Sequence, residues 1–560
     1  MGAALLILTC PALAGIVVVS GGGSPWSNHY SQYLQTRSLT HGLRERFGTD
    51  AVSVAFGVGN QPLASPILAD VIKEDSFTDY GESLNYRKFI VGALEGNHEA
   101  NRTEIQSLLK KQSSPQEPLF LIISDHGSPN DSVVDLNYDN NCITLWGTDA
   151  KTLQERTEFE TCYSREDLEE DLLKNHPRRV IYGMSQCYSG GFHRLSIKTD
   201  DEFRVQANPN ICGFAASPAD LPASGCSDSV DGPRYAGYER YFTSQILGAD
   251  FVNSVPTGFG PAKNLREAHL RAALQDFTID IPNSTSDFYL LELARSAQQR
   301  GLNSNFPINT RNRHLRGRIE FFSNPQKGSA FLSESSKDQT SPAPNSMAYA
   351  PLYVDRVKHL ESWASAAQGA GLEDASALLE KPSRHTLKRI DSLYQAYKEI
   401  LKDRNPLERE SLQIEAVLTL ETDLLSQTRA SLIEDLGLQA PLSKYEDEMI
   451  KMAPLISTSD PYTGDRIQIF SKLWSHRFWN PESSPTDSTT QSRLQRYHEI
   501  EIQVREKDER IKSIQKQAHW LRNLYQMKQE LGVLGAAIEN GAISVLENYQ
   551  ALVDCETTPL

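Results

Sequence analysis

Leu119-Phe120-Leu121-Ile122-Ile123-Ser124-Asp125-His126-Gly127-Ser128 and Val180-Ile181-Tyr182-Gly183-Met184-Ser185-Gln186-Cys187-Tyr188-Ser189-Gly190-Gly191 are two passages built alike. Each opens with a short, nearly continuous apolar run, the pattern of a parallel strand covered on both faces. Each then stops at a reactive side chain with glycine close behind. In an open α/β sheet the carboxyl ends of the strands border the crevice where chemistry takes place. Two such strands would bring an imidazole and a thiol to that edge, the pair that a cysteine nucleophile and its base require.

Further apolar runs at Ile16–Val19, Val52–Val58 and Ile211–Ala216 alternate with helix-like segments near Ser31–Phe47, Thr103–Lys111, Arg165–Lys174 and Tyr238–Leu247. This alternation predicts a mostly parallel sheet with helices on both faces over residues 15–322. Tyr138–Trp146 and Thr157–Tyr163 read as a hairpin inserted after the histidine strand. Ser323 to Pro351 is rich in Ser, Pro, Asn and Gly and predicts a linker, the easiest place to nick the chain.

From 352 to 560 the periodicity becomes helical and predicts a separate all-α domain. Leu387, Ile390, Tyr394, Tyr397 and Leu401 share a face, and Asn405-Pro406 predicts a break. Leu412 to Leu436 continues the helical spacing, and Ser457–Tyr462 and Asn480–Thr490 predict loops. Tyr497, Ile500, Val504, Ile511, Ile514, Ala518, Leu521 and Tyr525 form a near-heptad stripe. An intramolecular bundle is preferred over an intermolecular coiled coil.

The 560 residues are 39% hydrophobic with a net charge of −16. That charge argues against a nucleic-acid partner, because phosphate neutralisation needs clustered Lys and Arg. No run approaches the roughly 20 apolar residues of a spanning helix. Ala3–Leu8 followed by Ala12-Leu13-Ala14 reads as a signal peptide over residues 1–14, with a buried first strand as the alternative. Export would place the chain in the periplasm or outside the cell and permit disulfides. Cys142 and Cys162 flank the hairpin insertion and suit a bridge, with Cys212–Cys226 the weaker candidate.

A thiol nucleophile also needs donors for the oxyanion of its tetrahedral intermediate. The backbone N–H groups of Gly127 and Cys187 fit that role, since glycine leaves a carbonyl oxygen room to approach. His29, His176 and His193 lack metal-ligand spacing and read as surface residues, and no metal or other cofactor is expected. Gly21-Gly22-Gly23-Ser24 lacks the Lys-Ser/Thr ending of a phosphate loop.

Four segments together resemble one family. They are Val17–Gly21 with Trp26-Ser27-Asn28, Ser124–Ser128, Cys187–Gly190, and Ala215–Pro218 with Cys226 soon after. The region from Gly15 to about Leu247 is similar to the legumain family of the caspase-like cysteine peptidases. The resemblance implies a caspase-like α/β fold, with His126 as base, Cys187 as nucleophile and Asn28 supporting the histidine. It implies substrate contacts at Tyr30, Ser185, Tyr188, Ser217, Ser224, Tyr238 and Glu239. Members that cleave after Asn carry Arg, Glu and Asp where Tyr30, Ser185 and Tyr238 stand here, and metacaspases carry Asp at the Ser185 position. Neither an Asn nor a basic preference therefore transfers, and a Tyr-lined pocket points to an apolar or small residue.

The expectation is a secreted or periplasmic cysteine endopeptidase acting on polypeptides. Family members are often made with a helical C-terminal segment over the cleft, so contact between the helical half and the cleft is expected, either as a removable plug or as a permanent domain. Two alternatives stand beside it. One is a transpeptidase using the same dyad. The other is a non-catalytic scaffold whose helical half binds a partner.

Overall fold

The computed structural model describes residues 15–23, 29–60, 67–78, 81–90, 94–130, 137–147, 161–202, 204–224, 236–301, 346–381, 383–421, 455–459, 466–474, 488–539 and 541–560. Residues 1–14, read above as a signal peptide, Asn28, Cys226 and positions 323–345 of the expected linker lie outside these residues.

The central sheet comprises β1 (Gly15–Ser20), β2 (Val52–Phe56), β3 (Asn97–His98), β4 (Pro118–Ser124), β5 (Arg179–Met184), β6 (Ile211–Ala215) and β7 (Asn283–Ser284). Their spatial order is β7-β6-β5-β4-β1-β2-β3. Every pair is parallel except β6 with β7. The chain builds outward from β1 in one direction through β3, then crosses to the other side at β4. A topological switch point therefore lies between β1 and β4, where open sheets place their ligands.

The apolar runs bury both faces because side chains alternate along a strand. Ile16, Val18, Phe120, Ile122, Ile181 and Phe214 enter one core, and Val17, Val19, Leu119, Leu121, Ile123, Val180 and Tyr182 enter the other. Helices α1 (Tyr30–Phe47), α2 (Arg102–Gln112), α3 (Arg165–Asn175), α4 (Tyr238–Leu247) and α5 (Leu265–Ala273) close these cores. Leu34, Phe242 and Leu265 from α1, α4 and α5 join the first, whereas Leu109 of α2 and Leu172 of α3 join the second. Asn101 caps α2 through Glu104 N, and Ser164 with Asp167 forms a capping box on α3. After β4, Gly127–Asn130, Asn137–Leu145 and Thr161–Ser164 form a three-stranded antiparallel sheet, the expected hairpin with one more strand. The Cys142–Cys162 disulfide staples it.

The remaining helices are α6 (Thr285–Gly301), α7 (Ala350–Gly369), α8 (Ala375–Glu380), α9 (Ser383–Glu421), α10 (Ser488–Glu539) and α11 (Ile543–Glu556). Leu360 and Trp363 of α7, Leu378 of α8, Leu387 and Ile390 of α9, and Leu521 and Tyr525 of α10 pack into one intramolecular core. Several expectations are corrected. Ser346–Tyr349 is a 3-10 helix and α7 starts at Ala350, so the linker does not extend to Pro351. Helix α9 runs through Pro406 rather than breaking there, with the Arg404–Asp508 and Arg496–Glu410 pairs to α10 flanking the proline. Leu455–Ser459 is a strand rather than a loop. It pairs with Arg466–Trp474, which pairs with Gly81–Ile90 from the first half.

The C-terminal helices also share a second core with the first half of the chain. Tyr289, Leu290 and Leu293 of α6 share one with Val533 and Leu534 of α10 and Leu546, Tyr549 and Leu552 of α11. Buried ion pairs cross the same boundary: Arg356 of α7 with Asp287 of α6 at 2.5 Å, and Arg266 of α5 with Glu556 of α11. Cys212 is bonded to Cys555, 343 residues away, and not to Cys226. A cut anywhere between residues 301 and 346 should therefore leave two fragments that migrate as one species on a non-reducing gel and separate on reduction. Separation without reductant would contradict that linkage. Losing a bridge that closes so long a loop is expected to cost about 4 kcal/mol, read as a lower urea midpoint in Cys555→Ser.

Candidate active site

The two motifs meet at the carboxyl edge of the sheet. Strands β4 and β5 are neighbours in register, with Met184 opposite Ile123. His126 and Cys187 each stand three residues beyond that pair. They therefore leave the sheet side by side, beside the β1–β4 switch point. The chains remain in close contact past the strand ends. A Cβ added at Gly127 would fall 2.1 Å from the Cys187 carbonyl oxygen. Only glycine allows the histidine loop to lie this close to the cysteine loop. If the Gly127 N–H is the oxyanion donor expected from the sequence, Gly127→Ala should force the loops apart and lower turnover about 10²-fold. Unchanged turnover in the alanine variant would remove Gly127 from that role.

Cys187 is half-buried and, among the described residues, is the cysteine outside the two disulfides. Its Sγ accepts a hydrogen bond from Ala223 N at 3.2 Å. Tyr188 follows in left-handed conformation (φ 60°), and its N–H donates to Leu221 O at 3.0 Å. The glycines then start a 3-10 helix, Ser189–Leu195. Gly190 N donates to Ser217 O at 2.8 Å, where a Cβ would collide with that oxygen. The 217–224 segment is thus bound along the cysteine loop. Asn141 of the hairpin insertion ties them together, donating through Nδ2 to Tyr188 O at 2.8 Å and to Ala219 O at 2.9 Å. Its neighbour Cys142 carries the disulfide, so the insertion braces the site.

His126 is also half-buried. Asp125 Oδ1 accepts from His126 N and from Gly22 N, both at 2.7 Å, and so locks the histidine loop to the end of β1. His29 lies beside His126, with ring centroids 5.2 Å apart. Burial, aided by the His126 imidazole, pushes His29 down to about 4, so His29 is neutral at neutral pH. It is not the surface residue that its spacing suggested. His193 is likewise no surface residue. It is fully buried behind the sheet, bonded to Asn283 and Thr285, and burial pushes it down to about 4.

The expected substrate contacts separate into two groups. Tyr188 and Ser224 lie half-buried on the loops around the thiol, whereas Ser185 is buried at 5% exposure and does not present the expected contact surface. Ser185 N donates to Ile123 O at 2.9 Å, and Ser224 is held by Asp280, through N at 2.6 Å and Oγ at 2.7 Å. Tyr238 does not line an open pocket. It is 0% exposed, stacks on Phe242 and bonds His269 through its hydroxyl, because it shares the core face of α4 with Phe242 and Ile246. Ser217 is 0% and Glu239 2% exposed, so neither presents surface to a ligand. Tyr30 opens α1, and its side chain lies outside the described structure. The expected Tyr-lined pocket thus loses Tyr238.

Helix α10 reaches the same edge. Trp520 Nε1 donates to Thr278 O and His519 Nδ1 contacts Ile279 O, both at 2.7 Å, while Arg522 pairs with Asp220 at 2.9 Å. The loop it contacts carries Asp280, the anchor of Ser224 and of Tyr238 N at 2.9 Å. Among the described residues, no group of three or more His, Cys, Asp or Glu side chains is placed to hold a metal ion, and no helix is long and apolar enough to cross a membrane.

Sequence reasoning assigned no role to Asn141, Asp280 or Asp125, and placed His29 at the surface. Asp125 and His29 adjoin recognised motifs, which was a usable signal. Asn141 and Asp280 act across the fold and leave no local pattern. No protein-family model matches the chain, and no curated protein is significantly similar to it.

Proposed function

We propose that this chain is a cysteine endopeptidase of the legumain-like, caspase-like type, acting outside the cytoplasm. The observation that carries the reading is the level exit of His126 and Cys187 from adjacent parallel strands, with Gly127 packed on the Cys187 carbonyl. In the proposed reaction the Cys187 thiolate adds to the scissile carbonyl. The N–H groups of Gly127 and Cys187 stabilise the oxyanion. His126 hands a proton to the leaving amine, the C–N bond breaks, and water releases the acyl group from sulfur. The two disulfides support an oxidising compartment.

The helical half is proposed as a permanent wall of the cleft rather than a detachable plug. The Cys212–Cys555 bridge, the shared core of α6, α10 and α11, and the Arg522–Asp220 pair support this. A positional-scanning peptide library read by product mass tests the function. Internal cleavage that disappears in His126→Ala supports a peptidase. Joining of an added amine in place of hydrolysis would reassign the chain as a transpeptidase. Intact peptides with a folded sample would refute both.

A further inference from the structure

Behind the end of β4 lies a buried chain of hydrogen bonds that the proposed reaction leaves unused. Gln35 Nε2 of α1 donates to Thr243 Oγ1 of α4 at 2.7 Å. Ser124 Oγ lies 2.5 Å from Gln35 Oε1 and also contacts Glu239 Oε1. All four side chains are buried. Ser124 is fixed further by its carbonyl, which accepts from Ser20 Oγ. It stands two residues before His126.

A hydroxyl carries one hydrogen, and an amide's oxygen and nitrogen are interchangeable in outline. With Ser124 donating to Gln35, its contact with Glu239 requires the carboxyl to donate, so Glu239 is protonated. With the Gln35 amide turned over, Thr243 donates to Gln35, Gln35 to Ser124 and Ser124 to Glu239. Glu239 is then ionised. The chain therefore has two self-consistent polarities that differ by one proton. Burial pushes the Glu239 carboxyl up to about 8, against the pull of the Ser124 hydrogen bond and the His126 charge. The charged groups facing Glu239 are His126 and Asp125 past β4 and Asp280 before β7, while α1 contributes the neutral Gln35.

Resting on the peptidase reading, we propose that Glu239 is a positioning residue for His126: loss of its proton reverses the Gln35–Ser124–Glu239 chain and sets a negative charge behind the imidazole. That charge favours the imidazolium that must form before the leaving amine is protonated. The proton itself goes to solvent, and no bond to substrate is involved.

The test follows the His126 ring by NMR in the full chain labelled at histidine, with His126→Asn to assign the signal. The Cys187→Ala background removes thiol titration. The His126 signal should shift through a step near pH 8, and that step should vanish in Glu239→Gln. In Ser124→Ala the step should move to higher pH, because the carboxylate loses a donor. This variant serves equally if Glu239→Gln fails to fold. No step near pH 8 in the Cys187→Ala parent, or a step there unchanged in both variants, would overturn the proposal. These readings need no turnover. Failure of the peptidase reading would appear separately, as absent cleavage of peptides by the wild-type chain.

Discussion

Cys187→Ala is expected to reduce peptide cleavage by about 10⁴-fold or more while leaving the fold intact. The nucleophile is irreplaceable in covalent catalysis, and what survives its removal comes from oxyanion stabilisation and binding alone. Alanine keeps the Cβ and removes only the half-buried sulfur, which accepts from Ala223 N at 3.2 Å and donates to Ala223 O at 3.6 Å. Thermal melting should therefore stay close to wild type while turnover falls to background. His126→Ala should fall by a smaller factor, about 10²–10⁴, the usual worth of a positioned proton donor. Turnover retained in Cys187→Ala would place the chemistry elsewhere in the fold.

The largest stability effect is expected at Glu556. Its carboxylate is buried at the end of α11, paired with Arg266 and accepting from Ser286 N at 2.7 Å and Ser286 Oγ at 2.9 Å. Glu556→Leu strands the Arg266 guanidinium in the core and should destabilise the protein by about 3–5 kcal/mol. Removing both charges, in Arg266→Met with Glu556→Leu, should restore most of the loss, because the desolvation penalty disappears with the pair. Urea midpoints of the two single variants and the double variant provide the measurement. An additive double variant would mean that the charges do not act as a pair.

The sheet was legible because burial on both faces writes itself into the sequence. Leu119–Ile123, Val180–Met184 and Ile211–Ala216 admit no other reading at that length between turn residues. The two-residue edge strand at Asn97–His98 has no such signal, since neither face of it is filled by an apolar run. Helical periodicity gave the C-terminal helices but not their partners. Helix α10 serves a core with α9 through Leu521 and, beyond the stripe, another with α6 through Val533. The Cys212–Cys555 bridge was illegible for a similar reason: pairing is decided by where α11 lands on β6, not by spacing. At the site, His126, Gly127 and Cys187 were readable as motif residues. Tyr238 was misread because alignment to a motif fixes a backbone position and says nothing of which way the ring turns. Glu239 was readable as a position but not as a buried hydrogen-bond partner of Ser124.

The central claim is that Cys187 is an acylatable nucleophile served by His126. Labelling the folded 560-residue chain with a peptide acyloxymethyl ketone, followed by mass mapping of the adduct, tests it most directly. The account predicts one adduct on Cys187 that is much slower to form in His126→Ala. A folded chain that leaves Cys187 unmodified, or reacts equally fast without the imidazole, would contradict it.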